Sequence, residues 1–117
     1  MSSYTTTDQL IEALNQGPVA FKNVIEVIEN AYEFTPSKFV NGETTNEENT
    51  NNGSCKIFAF GQLNNLTEQA TLNAFGDFYT QDVLQHPEND DHQNIRNFIQ
   101  FGWKGIQFDK PALELKS

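Results

Sequence analysis

The sequence predicts an α+β, helix-dominated single domain of four or five short helices with a small two-stranded β element, and three observations predict it. Its 117 residues leave room for one core and no second domain. Apolar residues recur at intervals of three and four along most of the chain, which is the helical period. Two short runs, Phe34–Val40 and Ile106–Phe108, read instead as extended and could pair. Ten Phe, three Tyr and Trp103 make the expected core phenylalanine-rich, since each ring buries a large area.

The elements follow in order. Thr7 is placed to cap a first helix with an apolar face of Leu10, Ile11 and Leu14, ended by Gly17 and Pro18. Phe21, Val24, Ile25, Ile28 and Tyr32 define a second helical face, and Pro36 forces Thr35 into extended geometry. The stretch Phe34–Val40 then ends at an Asn41-Gly42 turn signal. Residues 42–53 are almost wholly polar and read as a loop of about a dozen residues, long enough to be functional. Ser54 is placed to cap a third helix through Leu63, with Cys55, Phe58, Ala59 and Leu63 on its buried side, although a strand over Lys56–Phe60 is a competing reading.

Thr67 caps a long helical stretch in which Thr71, Phe75, Phe78, Tyr79 and Val83 recur, and Gly76 is a credible break within it. Asp90 or Asp91 caps the last helix, which presents Ile95, Phe98, Ile99 and Gly102 inward. Both ends of the chain, 1–6 and 110–117, read as loosely held.

Sixteen acidic residues against seven basic ones give a net charge of -9, which repels a phosphate backbone and offers no cationic stripe for counterion release. Nucleic acid is therefore not an expected partner. The longest unbroken apolar run, Ile57–Phe60, is far short of a membrane span, so membrane insertion is not expected either. No apolar leader precedes Lys22, and a single Cys rules out an internal disulfide, so a cytoplasmic start is expected.

Several residues could carry chemistry. Gly53-Ser54-Cys55 precedes the third helix and would put the Cys55 thiol in its first turn, where amide donors favour thiolate. His92 as base and Asp82 or Asp91 as orienter would complete the ingredients of a cysteine hydrolase. The competing reading is that Cys55 packs as a small hydrophobe. His86, Asp90 and His92 gather N and O ligands that suit zinc, iron or manganese, in a spacing that matches no standard zinc signature. Asp91, Asn94 and Arg96 form a polar cluster beside the Ile95 and Phe98 stripe, and the single guanidinium could hold a carboxylate. Trp103, between Gly102 and Gly105, is either a stacking platform or a core aromatic. No cofactor is required by these residues.

The order of short signatures resembles the HopJ type III effector family. The run Phe21-x-x-Val24-Ile25-x-x-Ile28 is followed by Tyr32-x-Phe34-x-Pro36-x-x-Phe39-x-Asn41-Gly42 and by Gly53-Ser54-Cys55-Lys56-x-Phe58-x-Phe60. Further on come Thr71-Leu72-x-x-Phe75-Gly76-x-x-Tyr79, Asp82-Val83-Leu84-x-x-Pro87, Asp91-His92-x-Asn94-Ile95-Arg96-x-Phe98 and Gly102-Trp103-x-Gly105-Ile106-x-Phe108. Phe78 stands where the resemblance leads one to expect Tyr, and Thr80 where an Arg commonly follows Tyr79. The resemblance implies delivery by a type III apparatus into a host cell and action on a host protein there. It implies no established reaction, and a resident role in the bacterial cytoplasm stays open.

Three functions are thus to be separated. An interaction module would use residues 42–53 and neighbouring aromatics. A small hydrolase would use Cys55 and His92, or a metal. A resident small-ligand-binding protein would show a preformed pocket with Arg96 or Tyr79 at its mouth.

Overall fold

The computed structural model describes residues 6–89 and 92–116. Five α-helices and five short strands form one α+β body: α1 (Thr7–Gln16), α2 (Phe21–Ala31), β1 (Tyr32–Phe34), β2 (Phe39–Asn41), β3 (Thr44–Asn46), α3 (Asn52–Leu63), α4 (Glu68–Asn73), α5 (Gln93–Phe101), β4 (Ile106–Phe108) and β5 (Leu113–Leu115). A π-helical turn, Phe78–Val83, lies between α4 and α5, and a 3₁₀ turn, Gly102–Gly105, follows α5. No helix among the described residues is long and apolar enough to cross a membrane.

α3 is the centre of the molecule. Ile57, Phe58, Ala59, Phe60 and Gly61 are buried in succession, the pattern of a helix enclosed on all sides rather than lying on a surface. The Phe58 ring meets Phe39, Phe75, Phe98 and Trp103 at centroid distances of 6.0, 5.6, 5.0 and 6.4 Å. Leu63, expected inward, is 55% exposed, because the helix emerges from the core in its last turn. Ser54 does not cap this helix, which begins three residues earlier than such a cap would set it, after Asn51 in left-handed geometry.

Other boundaries differ by small amounts. Thr6 rather than Thr7 caps α1, its Oγ1 accepting from Gln9 N at 3.1 Å. Thr67 caps α4 as expected, accepting from Ala70 N at 3.0 Å. The long stretch it opens is broken around Gly76, which has φ +57, and a Cβ there would lie 2.8 Å from Val19 O. This close approach presses the α4 exit against the start of α2. In α5, Ile95 and Phe98 are buried as expected, but Ile99 is 48% exposed. The cap assigned to Asp90 or Asp91 lies outside the described residues.

The β element is larger than expected. β2 pairs antiparallel with β4, joining the two runs read as extended, with Phe39 opposite Phe108 and Asn41 opposite Ile106. β3 adds a third strand from within the supposed loop, closing a hairpin on β2 across Gly42 and Glu43. Gly42 has φ +62 and Glu43 does not have positive φ, the type II′ pattern whose twist suits a hairpin. The C-terminal end is also ordered: β5 pairs with β1, Tyr32 opposite Leu115, and Ala112 and Leu113 are buried. A short strand with one apolar anchor gives too little periodicity to be read from the chain alone.

α5 is fastened to the β2–β3 hairpin by buried asparagines. Asn94 Oδ1 accepts from Asn41 Nδ2 and Asn46 Nδ2, both at 3.0 Å, and Asn94 Nδ2 donates back to Asn46 Oδ1 at 3.0 Å. Asn41 Nδ2 also donates to Asn94 O at 2.8 Å, and Asn97 Nδ2 donates to Asn41 O and Thr44 Oγ1 at 3.0 and 2.8 Å. Replacing Asn94 with Ala takes the acceptor from the buried Asn46 Nδ2, while Asn41 Nδ2 keeps the main-chain oxygen of residue 94. We expect Asn94→Ala to lower the unfolding free energy by about 1–3 kcal/mol, seen as a lower urea midpoint at unchanged m-value. Gly76→Ala should cost about 1 kcal/mol or more, because it adds both backbone strain and a clash. Unchanged midpoints would remove these two positions from the account of how the fold closes.

Candidate functional site

A cleft of about 370 Å³ opens where the starts of α2, α3 and α5 approach the edge of β3. One wall is aromatic. The rings of Phe75 and Phe21 stack at 6.3 Å, Phe78 meets Phe21 edge-on at 5.2 Å, and His92 lies 5.2 Å from Phe78. Gly76 lets this wall form, since its lack of a side chain brings Phe75 and Phe78 against the first residues of α2. Gly53 does the same from the other side, where a Cβ would lie 2.7 Å from Phe21 Cζ.

The rest of the lining is largely polar. It carries Thr44 and Asn46 from β3, Asn51 and Ser54 around the start of α3, and Gln93 and Asn94 from the first turn of α5. Asn51 Nδ2 donates to Asn46 Oδ1 at 2.7 Å, so the buried asparagine clasp extends to the rim and orients the exposed amide. Asn51 and His92 both precede their helices in left-handed geometry, with φ of 52 and 51. Asn tolerates that region well among non-glycine residues.

His92 is the best-placed titratable group. Its Nε2 lies 3.0 Å from Asp82 Oδ2 on the π-helical turn, and the His and Asp side chains are 30% and 48% exposed. Carboxylate contact of this kind fixes a ring's orientation. Of the residues proposed for catalysis, the structure thus brings His92 and Asp82 together. It places Cys55 elsewhere: the thiol is 1% exposed and its Sγ donates to Ser37 O at 3.8 Å. Burial pushes the Cys55 thiol up from its ordinary range, and the nearby Lys56 charge opposes this without cancelling it. The neighbour Ser54, not Cys55, faces the cleft, because one residue along a helix turns the side chain by about 100°.

The remaining candidates have structural partners. Tyr79 is buried, with Gln69 Nε2 donating to its hydroxyl at 3.4 Å. Trp103 donates from Nε1 to Leu66 O at 2.9 Å, its ring lies edge-on to Phe98 at 4.9 Å, and its backbone N donates to Glu68 Oε2 at 3.1 Å. Arg96 donates to the main-chain carbonyls of Asp82 and Pro87, each at 3.3 Å, at the end of the π-helical turn, where cations are favoured. It borders a shallow groove with Leu84 and Ile99 and does not line the cleft. His86 is exposed, and Asp90 and Asp91 lie outside the described residues. Among the described residues, no group of three or more His, Cys, Asp or Glu could hold a metal.

The stretch 42–53 expected to carry an interaction surface does supply Thr44, Asn46, Asn51 and Gly53 to the cleft, whereas Ser54, expected as a cap, and Phe21 and Phe78, expected on helical core faces, were not singled out as cleft residues. The dense run of Asn between 41 and 52 was the available signal, but polar residues without periodicity read as loop.

Comparison with known proteins places this geometry in context. The family profile described as HopJ type III effector protein matches residues 7–113. A crystal structure titled as that of the unknown-function protein VPA0580 is 57% identical, covers 93% of this chain and 92% of its own, and superposes with a TM-score of 0.90. No curated protein matches significantly.

The position of Cys55 has a measurable consequence. The native thiol ionises at higher pH than the unfolded thiol, whose reference value is 9.0, so above about pH 9 the native state binds more protons than the unfolded state. The contribution is fully present below that pH and is lost as pH rises through it. We expect native Cys55 to react with iodoacetamide at least about tenfold more slowly than the urea-unfolded chain at pH 8. Cys55→Ala should flatten the fall in stability between pH 8.5 and 10.5. Rapid native alkylation would contradict the burial.

Proposed function

Because the chain belongs to the HopJ type III effector protein family, we propose that it acts by recognition. In this reading it is an interaction module whose contact surface is the cleft between α2, α3, α5 and β3. Its partner is a host protein where the chain is exported, and a resident bacterial ligand where it is not. The observation that carries this reading is the convergence of α2, β3, α3 and α5 on one opening that is lined by both aromatic rings and carboxamide and hydroxyl groups. Pockets with apolar lining and a few convergent polar groups are the usual ligand sites of small domains.

Two features favour binding over covalent catalysis by a thiol. Cys55 is enclosed and its ionisation is opposed by burial, whereas a nucleophilic thiol needs exposure and a lowered pKa. The polar wall is also held by reciprocal amide hydrogen bonds, which preorganise a surface and reduce the ordering cost of binding. The exposed leucines, Leu63 at one end of α3 and Leu115 on β5, border a separate groove and provide the internal comparison.

The test is a fragment titration followed by amide NMR, using a panel of small uncharged amides, alcohols and heterocycles on the full chain. Shifts are expected to cluster on Asn51, Ser54, Phe78 and Gln93, and to disappear in Phe78→Ala. Clustering on Leu63 and Leu115 instead, or on neither surface, would overturn the reading.

A further inference from the structure

We propose that the cleft is a binding site for a neutral pyranose, held with one ring face against Phe78 and its hydroxyl edge against the carboxamide wall. This rests on the recognition reading above and names the chemistry of what is recognised.

The first argument is charge. The chain carries sixteen acidic and seven basic residues, yet among the described residues no Asp, Glu, Lys or Arg lines the cleft. What this lining offers is amides, hydroxyls, rings and the His92 imidazole beside Asp82, and an anionic ligand would also meet the field of a net charge of -9. A neutral, hydroxyl-rich ligand matches that set.

The second argument is shape. Phe78 is 40% exposed, and its ring packs against Phe21 and His92, with both centroid distances at 5.2 Å. An exposed aromatic ring is an apolar platform whose negative face attracts the polarised C–H groups of a sugar ring. In the same cleft, the Asn46–Asn94 amide pair holds Asn51 through its Nδ2, which leaves Asn51 Oδ1 as an acceptor. The Ser54 hydroxyl can both donate and accept. A pyranose has the matching asymmetry, with a C–H face on one side and an edge of hydroxyls that each donate and accept. The volume of about 370 Å³ lies at the small end of ligand pockets, about 300–1,000 Å³, as a single ring requires.

The same chemistry is offered by a free sugar and by the terminal residue of a glycan on a partner protein. Titration of the full chain with methyl β-glucoside, methyl β-galactoside, N-acetylglucosamine and their disaccharide glycosides, read by amide NMR, tests it. At least one neutral saccharide should give saturable shifts at Asn51, Ser54 and Phe78. Phe78→Ala should weaken that binding about three- to tenfold while Phe78→Tyr restores it, and Leu63→Ala should leave it unchanged. Tighter binding of a disaccharide than of its monosaccharide assigns a glycan end, and equal affinities assign a free sugar; both support the pyranose. No saturable binding by any neutral saccharide, equal binding of glucuronate, or tighter binding of adenosine would overturn it. If saccharides fail while small amides and alcohols still gather in the cleft, the pyranose falls and the recognition reading stands. If nothing gathers there, both fall.

Discussion

The reciprocal amide pair between Asn46 and Asn94 is the contact on which the arrangement of the polar half of this molecule depends. Each side-chain oxygen accepts from the other's nitrogen and from one further asparagine, Asn51 on Asn46 and Asn41 on Asn94. Buried carboxamides are costly when unpaired and specific when paired, because only one geometry satisfies their donors and acceptors together. The pair therefore does more than close α5 onto the hairpin. It sets the register of an interface that hydrophobic packing alone would leave loosely specified. One atom departs from full satisfaction: Asn41 Oδ1 is buried without a hydrogen-bond partner among the described residues.

The aromatic half is organised differently. Phe58 gathers Phe39, Phe98, Trp103 and Phe75 around the central helix, and Phe75 passes the contact to Phe21, then Phe78, then His92. The cleft wall is thus the outer end of the core itself. Phe78 is therefore exposed while its ring stays in contact with the aromatic chain that leads back to the core. The same packing accounts for two glycines, since Gly53 and Gly76 stand where a Cβ would push Phe21 or the α2 backbone out of line.

Membership of the HopJ family and the close likeness to VPA0580 agree with the fold and carry no statement of reaction. What distinguishes this site physically is the separation of roles. The reactive sulfur is inside, the imidazole is oriented by Asp82 at the rim, and the groups that reach the opening are amides, hydroxyls and rings. Such a set is rich in directional contacts, which is what the recognition reading proposed above draws on.

Much of the fold was legible in the chain. The helical spacing of Val24 and Ile28, the Thr67 cap, the break at Gly76 and the Asn41-Gly42 turn all follow from local geometry, because each depends on residues within one or two turns of each other, whereas Tyr32, read on the same helical face, opens β1 instead. The pairing of the Phe39 run with Ile106–Phe108 was expected from the extended character of both runs, and the family resemblance from the order of the motifs. The site was less legible. That His92 meets Asp82 could be guessed from ten residues of separation, and a buried Cys55 was one of the two readings of the sequence, but β5 pairs with a strand near the start of the chain and the asparagine clasp joins positions up to 56 residues apart. Local composition determines which segments coil or extend. Only the packing of three helix starts against one strand edge decides which asparagines become a buried scaffold and which rings become a wall, because those contacts are non-local and leave no period in the sequence.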